Sequence, residues 1–278
     1  MKPAAAVNLH RPSPPGRAQS AAGANVAVAR RTLTRSAVPW LFGAAALLLW
    51  EAVVRGADVP AYLLPAPSSI VAAMDSRLLV HLAATFSEAL CGFALASTAA
   101  FAGALLFVRS RTLEQGLFPV AIALKTTPLV AIAPLLVLWL GTGWSSKIMA
   151  AALICFFPVL VNSVKGLKAA DSEHFELFQS LHATRAQEFR KLRLPYCLPY
   201  LFAALKISSS LAVVGAIVGE FVGATQGLGY LIMVSSSHLE TDVLFSAIFA
   251  SAVSGIVLFQ LIAWCERRVV FWQRQDTE

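Results

Sequence analysis

Few ionisable side chains lie inside the apolar runs of this chain, and any chemistry at membrane depth would have to use them. They are Glu51, Glu88, Lys125, Lys206 and Glu220. A charge in an apolar segment is costly unless it faces protein or water, so each is a candidate for a translocation path or for structural pairing. Lys206 and Glu220 are fourteen positions apart, about 21 Å along a helix, and cannot pair with each other. Left to themselves, Lys206 would snorkel to one interface and Glu220 to the other. Covalent chemistry has no visible machinery. The sequence holds no GxxxxGK[ST] phosphate loop, no nucleophile elbow and no HExxH. Cys91, Cys155, Cys197 and Cys265 lie in or beside apolar segments without metal spacing, and read as small buried hydrophobes. No catalytic residue and no metal site is expected.

A second set of candidates is polar and contiguous. Residues 171–210 read DSEHFELFQSLHATRAQEFRKLRLPYCLPYLFAALKISSS, set between two apolar runs. Glu173, Glu176, Arg185, Glu188, Arg190, Lys191 and Arg193 make its first half charged, and Pro195 and Pro199 follow. This pattern predicts a pair of short charged helices, a break at the prolines, and then a membrane span. Glu173, Glu176, Leu177 and Ser180 fall at helical spacings, with Phe175 and Phe178 three apart. Apolar side chains on such a helix pack on the protein's own loops, lie on a membrane surface, or form a knob that docks in a groove of a soluble partner.

The elements that position these residues follow from composition. The chain has 278 residues, of which 58% are apolar and 13% charged, against about 25% charged in a globular domain. Several runs approach the roughly 20 apolar residues that cross a bilayer. The expected fold is therefore all-α and polytopic, with about six transmembrane helices. The spans are placed near 37–55, 82–108, 116–140, 147–168, 199–222 and 243–264. Within the third, KTTPLVAIAPLL sets Pro128 and Pro134 in one span and predicts a kink. Freed carbonyls there need a partner such as Thr126 or Thr127, or a water-filled cavity that the span would line.

Charge orients the spans. About 17 of the 22 Lys and Arg fall in the N-terminal tail, at 109–111, at 165–193 or in the C-terminal tail, while Arg55, Arg77 and Lys147 fall in the opposite loops. Both termini and the 171–195 loop are expected in the cytoplasm. The net charge of +7 is thus a topological signal, and nucleic-acid binding is not expected. The organisation reads as a disordered cytoplasmic tail over 1–35, a first helix and outer loop over 36–80, a transmembrane core over 81–265, and a cytoplasmic tail over 266–278.

The stretch from Glu176 to Pro195 resembles the cytoplasmic EAA loop of membrane subunits of bacterial ABC importers. That loop reads Glu-Ala-Ala, three residues, Gly, nine residues, then Ile-x-Leu-Pro. Glu176 holds the Glu position, and Leu192, Leu194 and Pro195 fit the close; Leu177 and Phe178 replace the alanines and His182 replaces the glycine. TTPLVAIAPLLVLWLGTGWSSKI, FFPVLVNSVKGL and LPYLFAALKISSSLAVVGAIVGEFVGATQGLGYLI extend the likeness to the permeases for nitrate, sulfonates and taurine. KLRLPYCLPYLFAALK and VVGAIVGEFVGA are similar to permeases for riboflavin or thiamine-pyrimidine precursors.

The resemblance implies a type I importer permease in the bacterial inner membrane. It implies two cytoplasmic ATPase subunits, an extracytoplasmic solute-binding protein, and a second permease copy, with a homodimer the simpler arrangement. ATP and magnesium would be used by the partner subunits, and no cofactor would be bound by this chain. Glu176, Leu177, Phe178, His182, Arg185, Leu192, Leu194 and Pro195 would form the ATPase-coupling loop. Thr127, Pro128, Pro134 and Glu220 are the candidates for the translocation path. The competing expectations are a secondary transporter driven by an ion gradient, which should show inverted repeats, and a membrane-bound enzyme or receptor, which should show a catalytic constellation or a soluble domain.

Overall fold

A computed structural model describes residue 38 and residues 41–272. The tail expected over 1–35 and the last six residues lie outside the described residues. The described residues are helical and contain no strand. Helix α1 covers 41–56 and belongs to a first compact unit, Met1–Asp58; the rest of the chain forms a second, Val59–Glu278. Within α1, Glu51 pairs with Arg55 at 2.5 Å, an i,i+4 contact along one face.

The second unit runs α2 (Pro67–Ala72), α3 (Ser76–Arg109), α4 (Arg111–Thr126), α5 (Leu129–Leu140) and α6 (Trp144–Leu167). It continues with α7 (Ser172–Ser180), α8 (Arg185–Glu188), α9 (Leu194–Glu220), α10 (Leu228–His238) and α11 (Thr241–Val269). Among the described residues, four helical runs are long and apolar enough to cross a membrane: Ser76–Arg109, Trp144–Leu167, Arg185–Glu220 and Thr241–Val269.

The third expected span is a pair of helices. α4 stops at Thr126, and Pro128 stands at the N-cap of α5 with φ −61° and ψ 123°, an extended conformation. Proline disfavours the helical region for the residue before it and brings no N–H of its own, so Thr127 leaves the helix and the kink opens into a break. The Thr126 and Thr127 hydroxyls both donate to the Ala123 carbonyl, at 2.8 and 3.2 Å. The break is therefore satisfied locally, by the residues the sequence offered for it. Pro134 sits inside α5.

The α4–α5 segment carries the chain from one end of the bundle to the other, so α3 and α6 run parallel and α9 returns against them. The three meet at Ala151. A Cβ on Gly92 would stand 2.6 Å from the Ala151 Cβ, and one on Gly215 would stand 2.7 Å from the Ala151 Cα. Lipid tails provide no hydrophobic drive for helix pairing, so close backbone approach through small residues supplies the dispersion energy instead. Ala89, Phe93, Cys155, Ala212 and Ala216 extend this seam. Leu160, Leu167, Cys197 and Ala204 continue it toward the end that carries α7.

α11 packs along α9 and is strapped to it by Lys206 and Glu266, whose side chains meet at 2.7 Å. Lys206 thus finds a partner on a neighbouring helix where the sequence pointed to snorkelling. α4 is tied to the α7 end of the bundle by Glu114, whose two carboxylate oxygens each accept from Lys168 at 2.6 Å.

Candidate functional site

At one end of the bundle the polar stretch folds as α7, a turn and α8, and then runs on without a break. The expected interruption at Pro195 and Pro199 is absent. Phe189–Arg193 form a π-helical turn that joins α8 to α9, making one helical run, Arg185–Glu220. Pro195 lies in the first turn of α9, and the amide before it, on Leu194, bonds the Phe189 carbonyl five residues back. A π turn has the right spacing to absorb the donors that proline lacks. The Glu188–Arg193 ion pair, 2.8 Å between residues five apart, spans the same turn.

α7 is held on this base by aromatic contacts. The Arg193 guanidinium lies 4.7 Å over the Phe175 ring, a cation–π contact. His174 and Tyr196 bring their rings within 5.6 Å and exchange a hydrogen bond at 3.4 Å. Phe175 is thereby spent on the protein itself, and Phe178 is half-buried. What α7 presents outward is Glu173, Glu176 and an apolar ridge of Leu177 and Leu181, 54% and 68% exposed. Leu181 was missed by the sequence reading, although its i,i+4 spacing from Leu177 marks it. Arg185 is exposed at the start of α8. Leu192 is 3% exposed, and Leu194 and Pro195 are half-buried. These three residues form the foundation of the loop, while its outward surface comes from α7.

The turn between α7 and α8 hinges on His182, whose φ is +50°. His182 N–H bonds the Gln179 carbonyl at 2.9 Å and Ala183 N–H bonds the Phe178 carbonyl at 3.0 Å, the paired pattern of a Schellman close. Thr184 and Gln187 then form a capping box that starts α8. The left-handed position is the one a glycine fills at no steric cost. His182→Gly is expected to stabilise the turn by about 1 kcal/mol, seen as slower hydrogen exchange at the Ala183 amide.

At the opposite end, Glu220 closes α9 and is 2% exposed. Its Oε1 accepts from the Thr85 hydroxyl at 2.6 Å, and its Oε2 accepts from the Gly229 N–H. The Leu228 N–H donates to Thr85 Oγ1 at 2.7 Å, and the Gly227 N–H to His81 Nδ1 at 3.1 Å. Lys147, also buried, donates to the Thr142 and Gly143 carbonyls at the start of α6. Glu88 is buried beside this group, and its Oε2 has no hydrogen-bond partner among the described residues. Glu220 therefore does not snorkel; it is knotted into the bundle. Sequence reasoning singled out Glu220 and Glu88 but missed Thr85 and His81, which lie one and two helical turns away on α3.

Thr127 and Pro128 lie at the α4–α5 break and Pro134 lies inside α5, away from both of these sites in the chain. α5 leaves Val130, Leu138 and Trp139 largely uncovered, at 65%, 76% and 69%. Among the described residues no cluster of His, Cys, Asp and Glu is arranged to hold a metal.

Comparison with known proteins matches residues 92–271 to the family described as "Binding-protein-dependent transport system inner membrane component". The chain is 38% identical over 232 residues to the riboflavin transport system permease protein RibX of Chloroflexus aurantiacus, covering 82% of this chain and 87% of the relative. It is 34% identical over 242 residues to the formylaminopyrimidine transport permease protein ThiX of Halalkalibacterium halodurans, covering 86% and 96%. Permeases named for aliphatic sulfonates, taurine and nitrate match at 25–30% identity. An inward-facing structure of the MetNI methionine ABC transporter shares the fold, with a TM-score of 0.54 at 20% identity over 70% of this chain and 93% of that one.

Proposed function

The chain belongs to the binding-protein-dependent transport system inner membrane component family and is a permease subunit of an ABC importer; from that premise we propose that it carries a pyrimidine- or flavin-like solute and is driven through the exposed ridge of α7. It is a multi-pass protein of the inner membrane, and its family works with ATPase subunits and a solute-binding protein. In this reading both termini and the α7 end face the cytoplasm, two copies of the chain form the pathway, and ATP and magnesium are used by the ATPase subunits alone. The chain performs no catalysis and binds no cofactor. The solute class rests on the relatives at 38% and 34% identity, both named for heteroaromatic solutes.

The observation that carries the coupling role is the ridge itself. Leu177 and Leu181 stand in solvent on a short helix whose base is clamped by Phe175, Arg193, His174 and Tyr196. An apolar ridge on a rigid base fits a groove in a partner, and a helix gripped by a closing groove transmits rigid-body motion. Glu176 and Arg185 flank it as polar contacts, Phe178 backs it, and His182 sets the turn behind it. Thr127, Pro128 and Pro134 are assigned to the pathway wall, where a break in a span is tolerated. Glu220 acts through the loop it holds.

Leu177→Asp with Leu181→Asp tests the coupling role, since both side chains are exposed and the fold does not depend on them. The variant is expected to insert in the membrane normally and to lose co-purification of the ATPase subunits in mild detergent. Normal recruitment would overturn the assignment. Uptake of labelled riboflavin or formylaminopyrimidine by the reconstituted transporter, set beside taurine and nitrate, tests the solute class. A wild-type chain that purifies alone and follows an ion gradient would favour the secondary carrier.

A further inference from the structure

We infer that Thr85 and Glu220 are positioning residues that make α10 and its loop a rigid extension of α9, so that a displacement of the α7–α8 turn reaches the outer face through a single body. The inference rests on the coupling role proposed above for α7. Its first support is the length of the unbroken run Arg185–Glu220, 36 residues, or about 54 Å at 1.5 Å per residue. Without the π turn at 189–193, the prolines would have placed a joint between the docking loop and the span. With it, α8 and α9 form one unbroken helical run, and Leu192 is sealed in the core where the two join.

The second support is the way the far end is tied. The chain leaves α9 at Glu220, turns, and comes back so that an amide nine positions later meets the same carboxylate. The first amides of any helix lack intrahelical partners. Gly227, at the N-cap of α10, has no side chain to supply one. Here each of three successive amides finds an acceptor on another helix: Gly227 on His81, Leu228 on Thr85, and Gly229 on Glu220. The fit leaves no slack. A Cβ on Gly229 would lie 2.5 Å from the Ile217 carbonyl, and one on Gly227 would overlap the Glu220 carboxyl.

Thr85 carries the knot because its hydroxyl is used in both directions. It accepts from the Leu228 amide and donates to Glu220, so α3, α9 and α10 meet at one oxygen. Thr85 is fully buried, and in such surroundings each lost partner leaves a polar group unsatisfied. A loop held only by dispersion would slide when α9 moves. A loop held to Glu220 of α9 directly by the Gly229 amide, and by the Leu228 amide through the Thr85 hydroxyl, moves with it.

The test uses the assembled transporter in nanodiscs, with Cys91 and Cys265 replaced by serine and spin labels on Val214 of α9 and Ser237 of α10. Labelled chains are diluted with unlabelled ones. Between the nucleotide-free and ATP-trapped states, the label distance is expected to change by less than about 2 Å. In Thr85→Val the distance distribution is expected to broaden. Stimulation of ATP hydrolysis by the solute-binding protein, purified with its native solute, is expected to fall at least about fivefold, with basal hydrolysis and ATPase co-purification unchanged. Thr85→Ser, which keeps the hydroxyl, is expected to restore both readouts. A wild-type shift of about 5 Å, one helical turn, would overturn the rigid extension, as would full stimulation in Thr85→Val. Failure of the wild-type chain to retain ATPase subunits would instead overturn the coupling role beneath it. The wild-type distance decides the inference even if Thr85→Val does not assemble.

Discussion

Gly227→Ala is expected to lower the stability of the protein by about 3 kcal/mol and to loosen α10 from the bundle. Two costs combine. The backbone at Gly227 has φ +114°, which an L side chain rarely adopts, and the added Cβ falls on the Glu220 carboxyl. That carboxyl has no free space to move into, because Thr85 and the Gly229 amide hold it and the residue is 2% exposed. Thermal unfolding in detergent should show a fall in Tm of about 10 °C, and hydrogen exchange should speed up first at Leu228 and Gly229. The steric part disappears in a chain that also carries Glu220→Ala. The double variant is therefore expected to fall short of additivity by at least about 1 kcal/mol. Strict additivity would mean that the two residues do not meet.

Gly215→Val is expected to be as damaging through packing alone. Its Cβ would stand 2.7 Å from the Ala151 Cα and 3.0 Å from the Ala150 carbonyl. Backbone atoms of α6 cannot rotate aside as a side chain does, so α6 and α9 must separate along the seam they share. Overpacking of this kind costs about 3 kcal/mol, and the separation also strips dispersion contacts from Ala151, Cys155 and Ala212. The expected readout is a fall in the monodisperse fraction after detergent extraction, with a lowered Tm. Val214→Ala, one position earlier but half-exposed, is the control and should change little. Equal behaviour of the two variants would mean that α6 and α9 do not touch at this point.

The two sites differ in how much of them a linear reading can reach. The α7 loop is local in the chain: its contacts join residues within about twenty positions, so the spacing from Glu176 to Pro195 already carried most of it. Even there, two features depended on three-dimensional detail. Phe175 turned inward because Arg193 came to lie over its ring, and Leu181 took the exposed place beside Leu177. The Glu220 knot is non-local. Thr85 and Glu220 are 135 positions apart, and nothing in the spacing of either marks the other as its partner.

Hydrophobicity along the chain determined its all-α, membrane-spanning class, and charge the uneven division of the basic residues between its loops. These are properties of segments, set by the cost of leaving backbone or charge unsatisfied in lipid. Pro128 likewise marked a disturbance in the third span, through its missing N–H. Tertiary structure decided what individual polar residues do. Whether a buried carboxylate lines a path, snorkels or ties a loop depends on which donors surround it. At Glu220 those donors come from α3 and α10, brought there by the close packing of α3, α6 and α9 on small residues.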